Sequence, residues 1–150
     1  MGKFGSLAPS GKPYRVFIKL EGKQIVDKNG NPFFIDVHAE DGPIGRRFDK
    51  EWRERVLDIA RDGREQPSQE DHNRAKCAAL TAAWHVVDPE TMEPMDEPCT
   101  HENVLEAYET AGSWLWGPVY IAALNPANFI KHSAKSSTPS QSGTSETAAS

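Results

Sequence analysis

Apolar and polar positions change period several times along the chain, and each change marks an element. Tyr14-Arg15-Val16-Phe17-Ile18-Lys19-Leu20 is rich in β-branched and aromatic residues. So is Pro32-Phe33-Phe34-Ile35-Asp36-Val37, and Gln24-Ile25-Val26 lies between the two. The pattern predicts two or three short strands. Lys28-Asn29-Gly30-Asn31 supplies residues that tolerate positive φ in a tight hairpin, and Glu21-Gly22-Lys23 supplies a second turn. A small antiparallel meander is the expected result.

The period then becomes helical. Asp41-Gly42-Pro43 marks a helix start, because proline fits the first turn and an acidic side chain favours the positive end of the helix dipole. Phe48, Trp52, Val56 and Ile59 or Ala60 recur at helical spacing, so a helix is predicted over Ile44 to Asp62, facing a core and closed by Gly63. Charges between these positions, Asp49 to Arg53 and Glu51 to Arg55, have the four-residue spacing of solvated pairs. A second helix opens at Ser68, with Glu70 and Asp71 in its first turn, and its apolar stripe is predicted to run through Cys77, Leu80, Trp84 and Val87. Pro89, Pro94 and Pro98 forbid a helix from Asp88 to Pro98, which reads as a loop or irregular hairpin. Thr100 caps a third helix over Val104, Leu105 and Tyr108 that breaks near Gly112. A last helical stretch runs through Trp114, Leu115, Val119, Tyr120 and Leu124, with Gly117-Pro118 expected to kink or restart it. The expected class is therefore α+β, mostly helical, with a short N-terminal antiparallel β-meander packed against four or so helices.

Composition sets the boundaries. Residues 1–12 hold Gly2, Gly5, Pro9, Ser10 and Gly11 with little to bury, and read as a flexible arm. Residues 13–132 read as a single folded domain, as suits a chain of 150 residues. Residues 133–150 contain no large apolar residue, so they cannot offset their ordering entropy and read as a disordered Ser/Thr-rich tail. The formal net charge of −5 argues against nucleic acid as a partner, since a phosphate binder needs a basic face. No stretch approaches the ~20 apolar residues of a membrane span, and Met1–Ser10 has no signal-peptide core. Two cysteines, Cys77 and Cys99, make no disulfide framework and read as free thiols in a reducing cytosol.

Candidate chemistry is sparse. Cys99 and His101, with His85 upstream, have the residue types of a zinc half-site but lack the paired spacings that such sites use. Cys77 belongs to the buried stripe, where a thiol is usually inert, even with His85 at hand as a base. Asp36, His38 and Glu40, followed by Asp41, are candidate oxygen and imidazole ligands for a divalent cation, and would make the chain a small metal-dependent enzyme. A turn leading into a helix start accounts for them better. Gly42 and Gly45 lack the pattern and the lysine of a phosphate loop. No catalytic residue, metal or cofactor is assigned.

Trp114-Leu115-Trp116 is the more informative cluster. Adjacent helical residues point about 100° apart, so both tryptophans reach a core only if the helix is sandwiched between two layers. Otherwise one of them is exposed and is a candidate binding anchor.

The C-terminal half also carries a family pattern. Trp84-His85-Val86-Val87-Asp88, Glu93-Pro94, Thr100-His101-Glu102-Asn103, Trp114-Leu115 and Asn125-Pro126-Ala127-Asn128-Phe129-Ile130-Lys131-His132-Ser133 resemble the tail assembly chaperones of long-tailed bacteriophages, as does Phe48 within Gly45-Arg46-Arg47-Phe48-Asp49. In that family a helix ends in a tryptophan, a short polar hairpin follows, Thr-x-Glu-Asn opens the next helix, and an Asn-Phe motif closes the domain. The resemblance spans roughly Pro13 to Ser133. It implies a non-enzymatic protein that coats the tape-measure protein and recruits major tail-tube protein in the host bacterial cytoplasm, then is absent from the mature virion. The chain would be the shorter, non-frameshifted product of a gene in which a programmed frameshift also gives a longer one, and self-association would be compatible with the role. Trp114, Trp116, Tyr120 and Phe129 are the candidate partner-binding residues, with a helix-in-groove mode. The alternatives are another virion-assembly component, such as a tail-terminator or head-completion protein, and the metal-dependent enzyme.

Overall fold

The computed structural model describes residues 3–8 and 10–130; the Ser/Thr-rich segment 133–150 lies outside the described residues. Within them the protein is α+β. Strands β1 (Tyr14–Phe17), β2 (Lys19–Leu20), β3 (Lys23–Gln24) and β4 (Phe34–Val37) come first, then helices α1 (Pro43–Arg61) and α2 (Gln69–Leu80). Strands β5 (Thr81–Val87) and β6 (Pro94–Met95) follow, and helices α3 (His101–Ala111) and α4 (Ser113–Leu124) close the domain. Of the N-terminal arm, Gly5–Leu7 forms one exposed 3-10 turn, and the Ser10 amide donates to the Phe129 carbonyl.

The N-terminal strands form the expected hairpins. β1 and β4 pair antiparallel with Val16 opposite Ile35, and β2 and β3 pair across the Glu21-Gly22 turn. Where the two hairpins meet, the Ile18 amide donates to the Phe33 carbonyl, Phe33 to Ile25 and Ile25 to Ile18. All three side chains are buried, so this ring of backbone bonds leaves no buried polar group unpaired at the junction.

The sheet is not confined to the N-terminus. α2 was expected to continue through Trp84 and Val87, but it ends at Leu80 and the chain passes without a loop into β5, which pairs antiparallel with β4. Sheet order is β1-β4-β5-β6. A run such as Thr81-Ala82-Ala83-Trp84-His85-Val86-Val87 has no glycine or proline to signal the change, and its apolar residues fit either period. The free edge of β4 decides in favour of strand, a tertiary override of local pattern. The Thr81 hydroxyl fixes the switch, lying 2.8 Å from the Cys77 carbonyl and 2.7 Å from the buried Tyr108 hydroxyl of α3. The expected irregular hairpin is present as the β5–β6 pair.

α1 begins at Pro43 behind Gly42. A Cβ on Gly45 would lie 1.8 Å from the Glu40 carbonyl oxygen, so only glycine lets this first turn pack on the preceding loop. The expected Asp49–Arg53 and Glu51–Arg55 pairs do not form. Asp49 reaches the buried Lys76 of α2 at 3.0 Å, and Glu40 meets the same ammonium at 3.0 Å. Burial alone would lower the Lys76 pKa, but the hydrogen bonds to Glu40 and Asp49 carry it above its ordinary value. One lysine thus ties α1, α2 and the loop after β4 together. The helical stripe of α1 is covered mainly by α2, with Phe48 and Trp52 stacked on each other and against His72. Ser68 caps α2 with a reciprocal Asp71 bond, and Thr100 caps α3, both as the sequence predicts. Gly112, at φ +90°, takes the left-handed region favourable to glycine and divides α3 from α4. No helix among the described residues is long and apolar enough to cross a membrane.

Asp27 pins the Lys28–Asn31 turn to the sheet. Its buried carboxylate accepts from the amides of Asn29 and Asn31 at 2.8 and 2.9 Å, and from His85 Nε2 at 2.8 Å. The Asn31 amide first, and then His85, hold its pKa below the usual carboxylate range. A lowered folded pKa contributes stability that is complete above the ordinary carboxyl value of about 4 and is lost as pH falls through the folded value. Asp27→Asn should therefore lower the melting temperature at pH 7. It should also flatten the further loss that the parent protein shows as pH falls below about 4, followed by circular dichroism.

Candidate docking surface

α4 is apolar on every side, and such a helix normally lies inside a protein. Here only one side is covered. Leu115, Trp116, Val119, Ala122 and Ala123 are buried against the sheet and the neighbouring helices, whereas Ile121 is 71% exposed, Leu124 is exposed and Trp114 is 37% exposed. The helix runs on through Gly117-Pro118, so of the kink or restart expected there the restart does not occur. Proline lacks the amide that would reach the Trp114 carbonyl, and Pro118 itself lies on the exposed side.

The four candidate anchors therefore separate. Trp116 is only 7% exposed and Phe129 2%, so both are core residues that cannot meet a partner while the domain is closed. Tyr120 is half-buried and meets the Trp116 ring edge-on at 6.3 Å; Tyr14 meets Phe129 in the same way at 6.2 Å. The indole N–H of Trp116 has no hydrogen-bond partner among the described residues, a cost of about 1–3 kcal/mol. Of the four, Trp114 presents an open surface.

What the sequence reading missed lies beside it. Pro118, Ile121, Ala122 and Asn125 fall on one face of α4, at helical spacing, and face Tyr14, Phe17 and Lys19 across a groove of about 570 Å³. β1 is the terminal strand of the sheet, so the groove runs between an unpaired strand edge and an apolar helix face. The available signal was the excess of apolar residues on a twelve-residue helix, more than a single packed face can cover.

The candidate metal ligands are engaged elsewhere. Asp36 accepts a bidentate pair of bonds from Arg15 at 2.9 and 3.1 Å, and Glu40 holds Lys76. His38, its pKa lowered by burial, lines a separate hollow of about 500 Å³ with Lys12, Arg46 and Phe129. His85 is bonded to Asp27, away from Cys99 and His101 in the zinc half-site considered above. Among the described residues no group of three or more His, Cys, Asp or Glu side chains is placed to hold a metal ion. Cys77 is fully buried, and burial pushes its thiol pKa up to about 12, so it is not a ready nucleophile.

Burial gives a direct test of the anchors. Trp116→Ala should cost about 3–5 kcal/mol in denaturant unfolding, as a large core truncation does, while Trp114→Ala should cost under about 1 kcal/mol. Against known protein families, curated proteins and solved structures, the chain gives no match.

Proposed function

We propose that this protein is a tail assembly chaperone of a long-tailed phage, a non-enzymatic binding protein that holds the tape-measure protein in the host cytoplasm and helps recruit major tail-tube subunits. It leaves before the virion matures. The observation that carries the reading is the uncovered apolar side of α4, Trp114, Ile121 and Leu124, an exposure expected of a protein that works by covering apolar stretches of another. The motif resemblance supplies the partner. Thr100-His101-Glu102-Asn103 opens α3 with a side-chain cap, and Asn125 to Phe129 closes the described domain through a 3-10 turn at Pro126–Asn128, in keeping with the family pattern. Trp84 departs from it, standing within a strand where the family pattern has a helix end.

Co-expression with the tape-measure protein of the encoding phage tests the reading. The tape measure should be soluble and co-purify only when this chain is present. Ile121→Glu should weaken the complex at least tenfold, about 1.4 kcal/mol, without lowering the melting temperature of the free chain. Failure of the parent chain to form any complex, with its recovery from purified particles, would instead identify a virion component such as a tail-terminator or head-completion protein.

A further inference from the structure

The groove between β1 and α4 has a geometry that selects the shape of its occupant. Since the Ile18 amide points to Phe33, alternation along an antiparallel ladder turns Tyr14 and Val16 toward β4 and turns the amides and carbonyls of Arg15 and Phe17 outward. No other strand pairs with that edge among the described residues. Across the groove stand Pro118, Ile121 and Asn125, one face of α4. An open strand edge with a helix face beside it fits an extended segment: backbone bonds go to β1, and alternate side chains fall on the helix. The four residues of β1 span about 13 Å, enough for two such side chains.

Charge selects among extended segments. The chain as a whole carries −5, but the β1–β3 region holds Arg15, Lys19 and Lys23 against Glu21, with Lys12 just before it. Arg15 is paired with Asp36, whereas Lys12, Lys19 and Lys23 have no ion-pair partner among the described residues. Two copies joined edge to edge through β1 would bring these lysines together, which disfavours a second copy. The opposite sheet edge, β6, is flanked by Glu93 and Asp96 but blunted by Pro94 and followed by Pro98, so it makes a poor added strand. The chain's own residues 131–150 have no large apolar side chain and carry Lys131 and Lys135 against Glu146.

We infer that the β1–α4 groove binds an extended segment of a partner protein by strand addition, one that alternates apolar residues, set against Pro118 and Ile121, with acidic residues that meet Lys19 on the groove wall. This rests on the reading of the chain as a binding protein and replaces the helix-in-groove mode; it does not depend on the partner being a tape measure.

The test titrates the full, isotope-labelled chain with an eight-residue synthetic peptide of alternating valine and glutamate, followed by backbone amide and methyl resonances. The Arg15 and Phe17 amides and the Ile121 methyl should shift saturably. A lysine-for-glutamate peptide should bind at least fivefold more weakly, and a peptide N-methylated at alternate residues should not saturate. Ile121→Glu should weaken binding while leaving the spectrum of the sheet intact. Equal response to the lysine peptide, undiminished binding of the N-methylated one, shifts confined to other surfaces, or no shifts at all would each overturn the proposal. So would movement of the same amides with protein concentration alone, which would make a second copy the occupant, or tighter peptide binding by a chain ending at Ser133, which would make the C-terminal segment the occupant. If the tape measure co-purifies although the peptide does not bind, the strand-addition mode falls and the chaperone reading stands. If the peptide binds as described but no tape measure co-purifies, the reverse holds.

Discussion

The antiparallel pairing of β4 with β5 is the constraint from which the other features follow. It joins the N-terminal hairpins to a segment about fifty residues further along, and places Ile35 and Val37 in the middle of a four-stranded sheet, both fully buried. Because β5 takes one side of β4, β1 is left with no strand on its outer side among the described residues. Two polar contacts hold the pairing in register at its ends: Asp27 with His85 at one, and Thr81 with Tyr108 at the other. Lys76, one turn before the switch into β5, binds Glu40 and Asp49 and so locks the helical hairpin to the loop that leaves β4. Long-range pairing of this kind carries a closure cost that only the accompanying burial can offset, which explains why so many fully buried side chains lie along this seam.

Much of this was legible in the residues. The meander, its turns, the start of α1 at Pro43, the Ser68 and Thr100 caps and the break at Gly112 were all readable, because each depends on local chemistry: turn glycines, capping oxygens, and proline where an amide is dispensable. The switch at Thr81 was not. Cys77, Leu80, Trp84 and Val87 do fall at helical spacing, and only the vacant edge of β4 makes the last two residues part of a strand. Nor was the role of Asp49 legible, since its partner lies on another helix, while Arg53 stands at the spacing that local reasoning favours. The aromatic anchors show the same division. The sequence places Trp114 and Trp116 on different sides of a helix, but which one faces out depends on where the sheet lies.

The proposed docking surface is a by-product of the same arrangement. α4 covers the sheet with one side and leaves Trp114, Ile121 and Leu124 outward, beside a strand whose outer edge pairs with no other strand among the described residues. Exposed strand edges invite unwanted pairing, and the lysines around β1 keep like edges apart while favouring an acidic segment. An apolar helix face, an open edge and basic residues in an acidic protein form one surface suited to holding an extended chain, as the proposed binding role requires.

The most direct measurement is amide hydrogen exchange of the free chain, resolved by residue. Protection should be greatest at Val16, Ile35 and Val37, whose amides point into the ladder, and should fall at Arg15 and Phe17, whose amides point out of it. Slow exchange at Arg15 and Phe17, equal to that of Val16, would mean that the edge is already covered in the free protein, and would contradict the account.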